Sequence, residues 1–350
     1  MLSRALPAAL AGVRVLELGA GLPVEMIGQL LAGFGAAVTK VERPGAQRLS
    51  SPATFAALNR AKDMRTVDLK SASGAAEWRR LLSTHGVVVQ GYSEAAAARL
   101  GVDFETVLSI RPDVVYCEVV GYSALDPGSG RTGHDPTYVA AAGLLPVDVV
   151  PDGWSGLPFA LADQLAAAYG ALSLLAVLAR RRAGPGPGRG PEGERVQVSL
   201  FDAAMTAASS RVNDVLADPG FDLASTRGGL GLFRTADRVE IVIAAFEAHF
   251  FEGLRDALDL GRFVGPDALA APRRFGRTVN AGVAAAVAAL SYADLAELLD
   301  ARRVPHARAL RLADGIRSDF ARNPSAYGST DSGEVFHHHP VLTETRRSHG

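Results

Sequence analysis

Three residues whose side chains can move a proton stand where apolar segments of the chain begin or end: His134, Asp163 and Glu247. His134 follows Gly133 in a short polar segment, Asp163 opens a long apolar helical pattern, and Glu247 follows an apolar strand pattern. An imidazole and a carboxylate on opposite sides of one carbon atom could remove a proton from one face and return it to the other. Each residue also has an ordinary structural interpretation, as a loop histidine, a helix N-cap and an acid at a helix N-terminus.

The pattern of apolar residues predicts the elements that position these side chains. Short β-branched runs alternate with amphipathic helical patterns, which indicates a Rossmann-like α/β domain with a parallel sheet. The predicted strands lie at 13–18, 37–42, 87–90, 114–120 and 196–200. A strand pair and three helical patterns follow. We therefore predict a large domain over residues 1–215, a smaller α+β domain over 216–305, and a C-terminal return segment and tail over 306–350.

Composition limits the classes of partner. The chain has 350 residues, and 36 Lys and Arg against 37 Asp and Glu leave a net charge of -1, which argues against a nucleic-acid partner. Cys117 is the only cysteine and lies in an apolar run, so neither a disulfide framework nor a cysteine metal site is expected. No uninterrupted apolar segment of the sequence reaches the length needed to span a membrane. The composition is typical of a cytoplasmic protein without a membrane partner.

The turn after the first strand imitates a nucleotide-binding fingerprint. Gly19-Ala20-Gly21 ends the strand, and Glu42 closes the next one, as in dinucleotide-binding proteins and S-adenosylmethionine-dependent methyltransferases. The third glycine is missing, because Leu22-Pro23 follow, and Arg43 places a cation beside the acid. A tight turn between strand and helix is therefore favoured, and a methyltransferase stays a minor alternative.

Many blocks of the chain, read in order, resemble the superfamily of alpha-methylacyl-CoA racemases and family III CoA-transferases. The blocks lie at 10–18, 33–45, 59–60, 67–71, 121–123, 133–135, 162–163 and 190–203. The resemblance covers most of the chain to about residue 313. It implies a Rossmann-like large domain and an interlocked homodimer, in which domains of two chains build one site.

The resemblance also implies catalytic roles. In racemases of the superfamily, the residues matching Asp163 and His134 are the two bases, and the residue matching Glu247 orients the histidine. In the transferases, the aspartate is a nucleophile that forms a mixed anhydride and then a thioester with CoA. The Gly-His-Asp block, and Leu22 where transferases tend to carry glutamine, favour the racemase branch. We therefore predict epimerisation of the α-carbon of a 2-methylacyl-CoA through an enolate.

Two alternatives stay open. The first is CoA transfer between carboxylic acids with Asp163 as nucleophile. The second is a CoA-thioester-binding relic without turnover, because Leu165 is bulkier than the small residues usual after the aspartate and residues 91–95 lack an Arg-Pro-Gly block of the family.

The expected partner is an acyl-CoA thioester, with neither a metal nor a separate cofactor, since CoA is part of the substrate. The resemblance assigns phosphate contacts to Arg43 and Arg99, whose guanidinium forks suit phosphate oxygens. Backbone N–H groups at the start of the Asp163 helix are expected to form a partial oxyanion hole. The full set of predicted substrate and CoA contacts is Arg43, Val67, Asp68, Leu69, Lys70, Tyr92, Arg99, Gly133, Asp135 and Tyr138.

Overall fold

The structure is a computed structural model. It describes residues 8–19, 21–48, 50–145, 157, 159–184, 192–218, 227–318, 327–329 and 335–337. The chain divides into two compact units, one formed by residues 1–210 and 322–350 and the other by residues 211–321.

The first unit is built on a six-stranded parallel sheet with the strand order β3-β2-β1-β4-β5-β6. The strands are β1 (Arg14–Leu18), β2 (Ala37–Glu42), β3 (Lys62–Thr66), β4 (Val87–Gln90), β5 (Val115–Val120) and β6 (Glu194–Ser199). The order reverses between β1 and β4, which is the doubly wound arrangement of Rossmann folds. The predicted α/β fold is therefore confirmed. The sequence did not predict β3, because this edge strand reads Lys-Asp-Met-Arg-Thr and is mostly exposed.

Helices cover both faces of this sheet. They are α1 (Leu22–Gly33), α2 (Pro52–Asn59), α3 (Ala72–Leu82), α4 (Glu94–Leu100), α5 (Phe104–Ile110), α6 (Asp135–Ala141), α7 (Leu161–Arg182) and α8 (Leu200–Ala207). Successive residues of a strand face opposite sides. Val15 of β1 accordingly packs with Ile27 and Leu174 on one face, and Leu16 packs with Trp78 on the other. Burial on both faces explains the nearly continuous apolar runs of the central strands.

The helix α7 corrects one expectation from the sequence. Among the described residues, it is long and apolar enough to cross a membrane, with a mean hydropathy of 1.6 over an 18-residue window. In the structure Ala166, Ala167 and Leu174 of α7 are buried in the core that also contains Ile27 of α1. Gly170 allows this close packing, because a Cβ atom there would lie 2.7 Å from Ile27 Cδ1. Only 33% of that window is buried, so packing within the unit accounts for part of the apolar composition of α7.

The second unit is a small α+β assembly. Its antiparallel sheet has the order β7-β8-β9, with β7 (Leu230–Arg234), β8 (Glu240–Ala244) and β9 (His306–Arg308). Its helices are α9 (Val212–Ala217), α10 (Ala248–Leu258), α11 (Pro266–Ala270), α12 (Gly276–Val287), α13 (Tyr292–Ala301) and α14 (Leu312–Gly315). Ile241, Ile243 and Leu254 lie at the centre of its core. The strand β9 falls in the range that the sequence assigns to the C-terminal segment.

A further antiparallel pair, β10 (Tyr327–Ser329) and β11 (Val335–His337), belongs to the first unit.

Candidate active site

The loop after β5 brings His134 to the start of α6, where it occupies the N-cap position. The backbone N–H of His134 donates to Thr137 Oγ1 at 3.1 Å, and this hydroxyl donates to the carbonyl of His134 at 2.7 Å. These two hydrogen bonds fix the backbone of His134, while the residue itself is exposed. The imidazole is therefore held at the surface by the first turn of a helix and is open to a substrate.

Asp163 lies in the first turn of α7 rather than at its N-cap. The helix begins at Leu161, Ala160 is the N-cap residue, and the half-buried Asp163 is the third residue of the helix. The capping interpretation of Asp163 is therefore wrong. Its backbone N–H donates to Oδ1 of Asp135 at 3.1 Å, and Asp135 is itself only 9% exposed. This bond joins the first turns of α6 and α7.

The same hydrogen bond changes the predicted oxyanion hole. A helix begins with N–H groups that have no partner within the helix. In α7, Asp135 already takes the N–H of Asp163. This N–H is therefore not free to receive a thioester oxygen in this structure, so a substrate would have to displace Asp135 or use other donors.

The environment of Asp163 favours its protonated form. Burial, followed by the negative charge of Asp135, raises the pKa of Asp163 to about 6, and the nearby His134 acts in the opposite direction. The carboxyl group is thus more basic than an exposed aspartate but still mostly ionised at neutral pH. Such a group can serve either as a base or as a nucleophile.

The raised pKa predicts a gain in stability for Asp163→Asn. An ordinary aspartate loses its proton near pH 3.8, whereas folded Asp163 does so near pH 6, so the folded state binds more protons between these values. The contribution of this group to stability therefore falls as pH rises from about 4 to about 6. We expect Asp163→Asn to raise the free energy of unfolding by about 2 kcal/mol above pH 6, after allowing for solvent at the half-buried group.

The measurement is the unfolding midpoint of both proteins in chemical denaturant, from pH 4 to pH 8. The difference between them should be small at pH 4 and grow to its full value above pH 6. An equal midpoint at every pH would contradict the raised pKa.

Tyr138 packs tightly beside these residues. Its side chain is buried and meets the ring of Tyr122 edge-on at 5.3 Å between centroids. A Cβ atom at Gly121 would lie 2.2 Å from the Tyr138 hydroxyl oxygen, and one at Gly133 would lie 2.9 Å from it. Burial is the main cause that raises the pKa of Tyr138, and the charges of Tyr122 and Asp163 add to it. The two glycines therefore leave the space that lets this phenol approach Asp163.

The structure thus brings together one part of the predicted site. Within the first unit, the start of α6 and the start of α7 place five predicted residues in one cluster. They are Gly133, His134, Asp135, Tyr138 and Asp163.

Glu247 lies in the second unit, at the N-cap position of α10. Its side chain is exposed and makes no capping hydrogen bond, and its Oε2 atom lies 4.0 Å from Nδ1 of His249. Its expected hydrogen bond to His134 stays a prediction.

The predicted CoA contacts follow the carboxyl ends of neighbouring strands. Arg43 comes after β2, residues 67–70 follow β3, and Tyr92 follows β4. Ligands of doubly wound folds bind at this edge of the sheet. Burial raises the pKa of Tyr92 while the charges of Lys40 and Arg43 lower it, so Tyr92 lies near both cations.

The individual contacts differ in exposure. Arg43 and Arg99 are exposed, and neither forms an ion pair with another residue in the described part of the chain. Val67 is buried, and its N–H donates to the carbonyl of Glu42 at 2.8 Å. Asp68 and Lys70 are exposed, with the N–H of Lys70 donating to Asp68 Oδ1 at 3.1 Å. Val67 therefore belongs to the core, and its N–H is already used within the protein.

Leu165 and the turn at Tyr92, which motivated the hypothesis of a CoA-thioester-binding relic without turnover, both make normal structural contacts. Leu165 packs against the core formed by α1, α7 and the sheet. The N–H of Tyr92 donates to Oε1 of Gln90 at 2.5 Å, and this bond stabilises the turn that stands where the family block is missing. Leu165 thus fills the core, where its bulk stabilises packing.

Sequence reasoning missed a buried group of four charges below the turn after β1. Glu17 accepts hydrogen bonds from Lys40 at 2.8 Å and from Lys62 at 2.7 Å, and Lys40 also pairs with Glu25 at 3.3 Å. We call Glu17, Glu25, Lys40 and Lys62 the charge cluster; their side chains are at most 8% exposed. Lys40 Nζ also lies 3.4 Å from the carbonyl oxygen of Gly19. The signal in the sequence was Glu17 and Lys40 within otherwise apolar strands.

The cluster is electrically balanced but strongly desolvated. Burial alone would lower the pKa of Lys40, yet Glu17 and Glu25 raise it above its ordinary value. For Lys62, burial outweighs the attraction of Glu17, and the neighbouring Lys40 lowers the pKa further. Gly28 leaves room for the cluster, because a Cβ atom there would lie 1.8 Å from Glu17 Oε2.

No group of three or more His, Cys, Asp or Glu among the described residues could hold a metal ion. Cys117 is buried, and burial is the main cause that raises the pKa of its thiol to about 12. The thiol is therefore a core group.

Comparison with known proteins agrees with the fold and shows the family. CoA-transferase family III matches residues 10–347 of the chain. The chain belongs to this family. The resemblance inferred from the sequence blocks is confirmed.

Two relatives illustrate the range within the family. A CaiB/baiF CoA-transferase family protein of Caenorhabditis elegans is 31% identical over 276 residues, covering 73% of this chain and 76% of the relative. Succinate–glutarate CoA-transferase of Agrobacterium fabrum is 30% identical over 222 residues, covering 58% of this chain and 53% of that enzyme. The chain thus matches only about half the length of some of the named transferases.

The fold is shared with a solved structure of Rv3272 from Mycobacterium tuberculosis. The TM-score is 0.79 at 24% sequence identity, and the match covers 95% of this chain and 92% of that one. At this sequence identity, the structural likeness shows only that the two proteins share a fold.

Proposed function

We propose that this family III member transfers CoA from an acyl-CoA thioester to a carboxylic acid, with Asp163 as the nucleophile. The observation that carries the proposal is the placement of Asp163 in the first turn of α7. There, burial and Asp135 raise its pKa to about 6. A carboxylate of raised basicity that is still ionised at neutral pH is suited to attack a thioester carbonyl. The names of relatives support the same reaction, since they include succinate–glutarate and succinyl-CoA:glutarate CoA-transferases.

The reaction proceeds through three covalent forms of Asp163. The carboxylate attacks the thioester carbonyl, the C–S bond breaks, and CoA leaves as a thiolate while Asp163 and the donor acid form a mixed anhydride. The thiolate then attacks the aspartyl carbonyl, which releases the donor acid and leaves CoA bound to Asp163 as a thioester. The acceptor carboxylate attacks the aspartyl carbonyl of this thioester, which forms a second mixed anhydride and releases the CoA thiolate. The thiolate then attacks the acceptor carbonyl, which gives the new acyl-CoA and frees the Asp163 carboxylate. Every bond broken is matched by one formed, and no redox step is required.

The direct test uses succinyl-CoA as donor and isotopically labelled glutarate as acceptor, with formation of labelled glutaryl-CoA followed by mass spectrometry. A covalent intermediate is sought by adding hydroxylamine, which converts acyl-aspartate to a hydroxamate at Asp163. Labelled product together with the Asp163 hydroxamate would support the proposal. Neither product with a panel of short, branched and dicarboxylic donors would overturn it.

A second reaction, epimerisation of a 2-methylacyl-CoA, is favoured by one specific observation. His134 lies close enough to Asp163 to influence its pKa, and the imidazole is exposed at the start of α6. Two neighbouring groups with different proton affinities are what a two-base mechanism needs. This epimerisation was the leading prediction from the sequence, and the names of the relatives favour CoA transfer over it.

Substitution of His134 by alanine separates the two reactions. If CoA transfer is the activity, the variant should keep transfer to within about tenfold, because Asp163 alone forms the covalent bonds. If epimerisation is the activity, exchange of the α-proton should fall by at least about 100-fold, because one face loses its base. Both reactions are measured on the same preparation, by labelled glutarate and by deuterium uptake from deuterated water. The folding control is the unfolding midpoint of His134→Ala in denaturant, which should match that of the unaltered protein.

A further inference from the structure

We infer that Asp135 is a positioning residue for Asp163: it caps the first turn of α7 and places a negative charge against the reactive carboxyl group. This inference rests on the proposed function, since it assigns a role within the same site. The substrate contact that the sequence predicts for Asp135 stays a separate prediction.

The first observation is the geometry of the contact. Oδ1 of Asp135 accepts the backbone N–H of Asp163 at 3.1 Å, across 28 residues of sequence. Asp135 is only 9% exposed, so the carboxylate is enclosed by the protein. A buried acceptor that serves a helix N–H is a capping group. The cap of α7 is therefore supplied by another helix, while the local N-cap residue, Ala160, makes no side-chain capping bond.

The second observation is how firmly Asp135 is held. It is the first residue of α6, directly after His134, whose backbone is bonded to Thr137. Tyr138 of the same helix is fixed between Gly121 and Gly133, where any side chain would collide with it. Asp135 is thus rigidly placed, and so is the charge that it brings to Asp163.

The charges that face Asp163 come mainly from α6. Asp135 raises the pKa of Asp163, His134 lowers it, and Asp163 in turn raises the pKa of Tyr138. On the other helices packed against α7, Asp202 of α8 is exposed, and Glu25 of α1 is paired with Lys40. After burial, which is the larger cause, Asp135 is therefore the negative group that raises the pKa of Asp163 further.

The test compares two neutral replacements of Asp135. Asn and Ser both keep an oxygen that accepts the N–H of Asp163, and both remove the charge. The pKa of Asp163 is read directly by carbon NMR of protein labelled at aspartate side-chain carboxyls, with Asp163→Asn identifying the signal. We expect Asp135→Asn and Asp135→Ser to lower this pKa by about one unit. The acid limb of the pH profile of kcat/KM for CoA transfer should move by the same amount.

Asp103→Asn is the matched control. Asp103 caps α5 by accepting the N–H of Thr106 at 3.0 Å, so this change neutralises another helix cap in the first unit. It should leave the pKa of Asp163 and the pH profile unchanged. A purely structural role for Asp135 would alter stability without moving the pKa.

The NMR reading keeps this inference separate from the proposed function. A lowered Asp163 pKa without CoA transfer from any donor would support the role of Asp135 and overturn the proposed function. An Asp163 pKa that is unchanged in both neutral variants, or an ordinary value in the unaltered protein, would overturn the inference even if CoA transfer is found. If both variants fail to fold, an ordinary Asp163 pKa in the unaltered protein still overturns the inference.

Discussion

Asp163→Asn is expected to reduce CoA transfer by roughly 1,000-fold or more, because an amide cannot form the mixed anhydride. Asparagine has nearly the same shape, so the backbone N–H of residue 163 should keep its bond to Asp135. The loss should appear in kcat and in kcat/KM, while binding of acyl-CoA persists. The measurement is steady-state transfer of CoA to labelled glutarate, together with acyl-CoA binding by calorimetry.

Asp202→Asn is a closely matched control for this prediction. Asp202 is also the third residue of its helix, α8, but it is exposed. The same change of charge at the same helical position should leave transfer within about twofold of the unaltered protein, because exposed substitutions rarely disturb a site. Near-normal transfer by Asp163→Asn would rule out the nucleophilic role.

The expected gain in stability of Asp163→Asn has a consequence for interpretation. A variant that is more stable above pH 6 and yet inactive cannot owe its inactivity to unfolding. Enzymes often hold a reactive group in an environment that lowers the stability of the folded protein, because the reaction requires that environment. Unfolding and CoA transfer, both measured on Asp163→Asn, therefore test one physical cause, the desolvation of the Asp163 carboxyl group.

The second large effect is expected in the charge cluster, where Glu17→Gln should destabilise the first unit by about 3 kcal/mol. Glutamine keeps the size of Glu17 but removes the carboxylate that pairs with both Lys40 and Lys62. Glu25 is then left to balance two buried ammonium groups. Removing one partner of a buried ion pair costs more than the pair itself contributes, because an uncompensated charge remains in the interior. Denaturant unfolding at pH 7 measures this loss.

An exposed ion pair supplies the control for the cluster. Glu77 of α3 pairs with Arg80 at 2.6 Å, and the Arg80 side chain is 63% exposed and that of Glu77 34%. Glu77→Gln should leave the unfolding midpoint almost unchanged, because exposed pairs contribute little. An equally small effect of Glu17→Gln would show that solvent reaches the cluster and that its charges are screened.

The cluster also links stability to the candidate site. Lys40 contacts the carbonyl of Gly19 and lies near Tyr92, both at the carboxyl edge of the sheet. The charge cluster therefore stabilises the turn after β1 through the contact between Lys40 and the carbonyl of Gly19. Loss of Glu17 is expected to loosen this turn and raise the KM for acyl-CoA as well.

The sequence predicted those parts of the fold that depend on local pattern. Five of the six strands of the large sheet were predicted, and the central ones have apolar runs because both of their faces are buried. The strands β3, β9, β10 and β11 and the charge cluster were not predicted. The strand β3 is polar and exposed at the sheet edge, and β9 has three residues, so neither carries an apolar pattern. Glu17 and Lys40 looked like ordinary polar residues, because their partnership is formed between neighbouring strands.

By itself the sequence determined the family and the Rossmann-like sheet, because these depend on residue types in a fixed order, and it pointed to His134 and Asp163 as candidate reactive side chains. Only the tertiary structure decided what surrounds Asp163. The cap from Asp135 joins residues 28 positions apart, and the packing of Tyr138 against Gly121 depends on how α6 returns to the end of β5. The basicity of a carboxyl group depends on burial and on neighbouring charges. Both are properties of the folded chain, and neither can be read from the spacing of residues along it.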